Sequence, residues 1–133
     1  YVTLDGFDTH AQQANAHQVL SGQWSRALGA FIADLHQRGQ QQRVTVMVFS
    51  EFGRRIEENA SKGTDHGTAA PMFLAGAAVK AGIIGAHPSL DDIQQGDLKH
   101  TVDFRQVYAT VLDWMEWDST TALNGEYSTL PLF

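Results

Sequence analysis

Apolar residues recur along this chain in two distinct rhythms. Leu20, Trp24, Leu28, Phe31, Ile32 and Leu35 follow one another at steps of three and four, which is the spacing of one helix face. Gln23, Arg26, Asp34 and Arg38 fall on the opposite side. Gly39 comes just after the last apolar turn and suits a left-handed helix end, and Gln40-Gln41-Gln42 makes a short polar connection. From Arg43 to Phe49 the rhythm changes. Val44, Val46, Met47, Val48 and Phe49 stand almost without polar alternation, which predicts a strand covered on both faces, as in a parallel sheet. Tyr1–Leu4 predicts a shorter strand, ended by the turn-forming pair Asp5-Gly6. Strand, long helix and strand together compose a βαβ unit with a right-handed crossover.

The second half is more broken. A polar segment to Lys62 leads to a glycine-bracketed turn at Gly63–Gly67 and a second apolar run at Met72–Ala75. Ala77–Gly85 is rich in small residues, fitting a strand or bend packed close to its neighbour, and Pro88–Lys99 reads as a polar loop. Asp103, with Gln106 three residues later, forms a capping box. It opens a helix carrying Phe104, Val107, Tyr108, Val111, Leu112 and Met115 on one face. From Asp118 the chain is loop-like, with Leu130-Pro131-Leu132-Phe133 expected to dock back on the body. Neither an internal repeat nor a domain boundary interrupts residues 1–133, so a single domain is expected over the whole length.

Composition narrows the function classes. Hydrophobic residues make up 43% and charged residues 18% of the 133 positions, a globular balance. The formal net charge is −6, and scattered Lys and Arg form no basic stripe, which argues against nucleic acid as a partner. No apolar run is long enough to span a bilayer. There is no cysteine, so thiolate metal sites, disulfides and a cysteine nucleophile are excluded. The first residue is Tyr and opens directly on a strand-like run, so an N-terminal portion is expected upstream.

Three polar constellations follow apolar runs or glycine turns. GFDTH supplies Asp8 and His10, SEFGRR supplies Ser50, Glu51, Arg54 and Arg55, and GTDHG supplies Asp65 and His66. Ligands gather beyond the carboxyl ends of strands in open α/β sheets. Carboxylates and imidazoles from separate loops, Asp8, His10, Glu51, Asp65 and His66, compose a ligand set for one or two divalent cations, with mixed nitrogen and oxygen donors suiting Zn²⁺ or Mn²⁺ better than an all-oxygen Ca²⁺ cage. Taken singly, Asp5, Asp8 and Asp65 equally fit turn residues, and Glu51 a strand-end charge. Arg54 and Arg55 fit either a clamp on an anionic oxygen or an exposed pair beside Glu57 and Glu58. His17, His36, His87 and His100 fall on helix or loop positions with no such company. Trp24, Trp114 and Trp117 read as core.

GFDTH, FSEFGRR, GTDHG and DFRQVYATVLDW together resemble the bacterial domain of unknown function 1501 family, over about Tyr1 to Trp117. That family is placed in the alkaline phosphatase-like superfamily with sulfatases. The resemblance implies a three-layer α/β/α sandwich with a largely parallel sheet, of which this chain is the C-terminal portion with the N-terminal half missing. It also implies hydrolysis of small phosphate or sulfate esters, a nucleophile supplied from the missing half, and a periplasmic or exported location. Asp8 and His10 correspond to the mid-chain ligand pair of such enzymes, Glu51 stands where relatives carry an Asp-His pair, and Asp65 and His66 match the last ligand loop. The first pair is two residues apart where relatives space it by four, and Phe52 occupies the position of a paired histidine, which weakens or removes one metal position. Thr9 and Ser50 read as turn or capping hydroxyls rather than as nucleophiles. A non-catalytic binding or scaffold domain, and a hydrolase of another bond such as an amide, are the competing expectations.

Overall fold

The computed structural model describes all residues, 1–133. The long apolar rhythm becomes α1, Gln13–Gln37. Leu20, Trp24, Leu28 and Ile32 are partly covered and Leu35 is buried, whereas Phe31, expected on the same face, is exposed. Trp24 packs on Phe73 with ring centroids 5.3 Å apart, which seats the helix on the small sheet described next. Gly39 takes φ of +64° directly after the helix and donates from its N–H to the His36 carbonyl at 3.1 Å. A glycine there avoids the Cβ penalty of the left-handed region.

The apolar run 43–49 divides. Gln41–Arg43 is a 3₁₀ turn, and only Val46–Val48 forms strand β1. β2 is Gly53–Arg54, β3 is His66–Gly67 and β4 is Phe73–Ala75. β1 pairs antiparallel with β4, Val46 opposite Ala75 and Val48 opposite Phe73. β2 pairs antiparallel with β3. β5 (Ile93–Gln94) and β6 (Asp97–Leu98) form a third antiparallel pair inside the expected polar loop 88–99. Gln95 and Gly96, at φ of +53° and +87°, make the two-residue connection whose positive φ values match the right-handed twist of a hairpin.

These pairings overturn the expected three-layer α/β/α sandwich with a largely parallel sheet. The chain has three helices and three two-stranded antiparallel sheets. The predicted βαβ unit fails at its first strand: Tyr1–Leu4 has no regular structure, and Tyr1 and Val2 are fully exposed. With no ladder to join on the N-terminal side of α1, β1 finds its partner later in the chain. Such a return can run antiparallel without a crossover helix.

α2, Phe104–Trp114, begins with the expected capping box: Asp103 accepts from the Arg105 N–H at 2.9 Å, and Gln106 Oε1 accepts from the Asp103 N–H at 3.3 Å. Its inner face buries Val107, Ala109 and Thr110, while Phe104 and Met115 are exposed. α3, Ser119–Leu123, lies in the tail expected to be loop and is capped by the Asp118 carboxylate. Trp117 is exposed rather than core. The tail does dock. Leu132 is buried, the Leu130 N–H donates to Thr110 Oγ1 at 2.8 Å, and Phe133 stacks on Trp114 at 5.0 Å. No helix is long and apolar enough to cross a membrane.

Asp103 also receives the Arg105 guanidinium, which together with the backbone bond pulls its carboxyl from 3.8 to about 2. The stabilisation from this depressed group is full above pH 3.8 and is lost as the pH falls through 2. Asp103→Ala is expected to cost about 1 kcal/mol near neutral pH. Urea unfolding of the two proteins across pH should show that difference shrinking on the acid side.

Candidate metal centre

α1 starts without help from a capping side chain. Gln12, at its head, sits in the left-handed region and its side chain caps nothing. A helix start leaves four N–H donors without intrahelical partners. Here the loop before β3 meets the entry to the helix: the Gln12 N–H donates to the Ser61 carbonyl at 3.0 Å and the Gln13 N–H to the Lys62 carbonyl at 2.9 Å. Thr64 Oγ1 donates to Gln13 Oε1 at 2.9 Å. The approach is so close that a Cβ on Gly63 would lie 2.3 Å from the His10 carbonyl carbon. A side chain at position 63 is therefore incompatible with this contact.

Two side chains complete the clamp. Asn59 accepts from the N–H groups of Ser61 and Gly63 at 2.9 and 3.1 Å, and donates to the His10 carbonyl at 3.0 Å. Arg54, held on β2, donates to the carbonyls of Phe7 and Thr64, with Thr9 Oγ1 at 3.4 Å. Thus GFDTH and GTDHG, more than fifty residues apart, are joined edge to edge by backbone carbonyls shared between them.

The clamp brings three ligand-type atoms together. Asp8 Oδ1 lies 2.7 Å from His66 Nε2 and 2.9 Å from His10 Nε2, and one ligand atom from each residue falls within 4.8 Å of the others. Asp65 stands behind His10, its Oδ1 3.4 Å from Nδ1. The hydrogen bond with His66 is the main cause holding the Asp8 carboxyl below its ordinary value, with the charges of His10, His66 and Arg54 adding to it. Asp65 is lowered first by the Asn59 bond and then by His10. Both are therefore anions directed at imidazole nitrogens. The cluster is solvent-facing, each of its three side chains about half exposed or more.

The other candidate residues are placed differently. Glu51 is exposed in a bend after β1 and lies outside the three-residue cluster. Arg54 spends its donors on the two loops, as above. Arg55 turns towards Asp97, Nε to Oδ1 3.6 Å. Thr9 Oγ1 faces the Phe7 carbonyl, and Ser50 Oγ accepts from the Phe52 N–H, both at 3.4 Å. Each is a local turn hydroxyl. The sequence reading passed over Asn59. Its signal was an Asn shortly before a glycine turn, the usual setting for an amide that folds its own backbone. A hollow of about 580 Å³ between the later turns of α1 and β4 is lined by Ile32, Leu35 and Ala75 and contains none of the cluster residues.

The family model described as "Protein of unknown function (DUF1501)" matches residues 1–128, and the chain belongs to that family. No curated protein and no solved structure matches it.

Gly63→Ala is expected to force the two loops apart and cost roughly 1–3 kcal/mol, as overpacking does. Amide hydrogen exchange should then accelerate at Gln12 and Gln13 before it does in α2. Separately, carboxyl ¹³C titration of the metal-free protein should place the Asp8 midpoint below 3.8. In His66→Ala that midpoint should move back towards the ordinary value.

Proposed function

We propose, for this member of the DUF1501 family, a divalent-cation site made by Asp8, His10 and His66 that serves hydrolysis of small phosphate or sulfate esters, with kinship to the alkaline phosphatase-like superfamily as part of the reading. The observation that supports it is the convergence of one ligand atom each from Asp8, His10 and His66, on loops far apart in sequence, within 4.8 Å. A tetrahedral Zn²⁺ site needs ligand atoms roughly 3.3 Å apart at Zn–N and Zn–O lengths of about 2.0–2.1 Å, so the Asp8 contacts to His66 and His10, now 2.7 and 2.9 Å, would open slightly to take one such ion. Two nitrogens with one oxygen favour Zn²⁺ or Mn²⁺ over Ca²⁺. Asp65 accepts from Nδ1–H of His10 and so fixes the tautomer that leaves Nε2 free to ligate, a common arrangement behind metal-bound histidines.

Asp8, His10 and His66 would hold the cation, which would supply Lewis-acid polarisation of an ester oxygen and lower the pKa of a nucleophilic oxygen. The chain's own residues do the holding. Asp8 contributes the anionic ligand, His10 and His66 the neutral ones, and Arg54 keeps both loops at the distance this requires. The solvent-facing side of the cluster leaves room for an anion to approach.

A second reading, a non-catalytic binding or scaffold domain, is favoured by one observation: neither Thr9 nor Ser50 directs its hydroxyl at the cluster. The same fold can carry either role.

Calorimetric titration with Zn²⁺ is expected to show binding that Asp8→Asn, His10→Ala and His66→Ala abolish. Asp65→Asn should weaken it by about 10–100-fold, and Glu51→Gln should leave it unchanged. Unaltered Zn²⁺ content in all three ligand variants sinks the site. A scan of the Zn²⁺- and Mn²⁺-loaded protein with phosphate and sulfate esters then separates the readings: turnover lost in the ligand variants supports the hydrolase, and ester binding without turnover the scaffold.

A further inference from the structure

We propose that Phe52 is a positioning residue for His66, holding its imidazole in the plane from which Nε2 meets Asp8. The inference rests on the metal reading above. Arg54 stands directly opposite His66 in the β2–β3 pair. Phe52 comes two residues before it, just ahead of β2. Its ring lies flat against the imidazole, centroids 3.9 Å apart and planes 9° from parallel. The Arg54 guanidinium carbon sits 5.0 Å from the Phe52 centroid, so the same arginine that ties the loops also flanks the ring beneath the ligand.

The two histidines are oriented by different means. His10 has a carboxylate behind it, Asp65 at Nδ1. His66 makes its one side-chain hydrogen bond through Nε2 to Asp8, and no polar group fixes the far side of its ring. The torsion that turns an imidazole about its Cβ–Cγ bond is broad and soft. For a half-exposed histidine on a two-residue strand, nothing in the backbone removes that freedom. A parallel aromatic face in van der Waals contact does, because turning the imidazole out of plane drives its edge into the phenyl carbons. Phe52 thereby does for His66 by shape what Asp65 does for His10 by charge. His10 approaches His66 at 4.9 Å with its plane tilted by 35°, so Phe52 alone provides a parallel wall.

The test uses Phe52→Leu, which keeps apolar bulk without a flat face, and Phe52→Tyr, which keeps the face. Zn²⁺ affinity is measured by calorimetry and ligand geometry by the visible absorption of bound Co²⁺. Phe52→Leu is expected to weaken Zn²⁺ binding about tenfold and to alter the Co²⁺ spectrum, while Phe52→Tyr preserves both. In the metal-free parent the His66 ring protons should resonate upfield under the phenyl ring current and return to ordinary positions in Phe52→Leu. Unchanged affinity and spectrum in Phe52→Leu, or an equal loss in Phe52→Tyr, overturns the proposal while leaving the metal site standing. If Phe52→Leu does not fold, the parent's His66 shift and the Tyr variant decide, and an unshifted ring rejects the role. A parent that takes up neither Zn²⁺ nor Co²⁺ instead removes the metal reading itself, and this role with it.

Discussion

The guanidinium of Arg54 donates to the carbonyls of Phe7 and Thr64, and the geometry around the ligand cluster depends on that bridge. Carbonyl oxygens at the turns of two separate loops have no ladder to satisfy them, and a planar fork with five donors can serve several at once. The fork arrives from β2, whose register with β3 places Arg54 opposite His66. One residue therefore sets both the spacing of the loops and the strand partner of a ligand. A lysine in its place would bring a compact charge in place of a planar fork.

Apolar burial contributes comparatively little to this arrangement. Seven residues are buried, and two of these, Gly53 and Gly63, carry no side chain. Leu35, Val107, Ala109 and Leu132 lie on α1, α2 and the docked tail, away from GFDTH and GTDHG. The loops are held instead by shared hydrogen bonds and by the contact at Gly63. Polar positioning of this kind is directional where apolar packing is not, which suits a site whose donors must point at one spot.

How much of this was legible in the sequence varies with the range of the signal. The capping box at Asp103, the glycine stop at Gly39 and the tail docking at Leu132 rest on local chemistry, and the structure bears them out. Of the five residues expected to group, Asp8, His10 and His66 lie together, Asp65 stands behind His10 and Glu51 lies apart; short glycine-flanked motifs were the signal for the first four. Strand pairing was not. The run Val44–Phe49 states only that a segment is apolar, and which strand it joins is settled by β4 far downstream. The β5–β6 hairpin was missed because Gln-Gly is a weaker turn signal than Asn-Gly or Asp-Gly. Arg54 stood open between an anion clamp and an exposed charged pair, because a sequence cannot reveal that its guanidinium donates to the Phe7 and Thr64 carbonyls. Asn59 carried a local turn signal, its bonds to the Ser61 and Gly63 N–H groups, but its bond to the His10 carbonyl on a distant loop had none.

The entry to α1 carries one more implication. Its opening amides are satisfied by Ser61 and Lys62 rather than by a residue of its own, so the helix has no autonomous start signal. Fraying of that end and loosening of the 59–64 loop become one event, because either leaves the same carbonyls and amides unpaired. Native-state fluctuations here should therefore be concerted, with protease access to the loop rising and falling together with the order of the first helical turn.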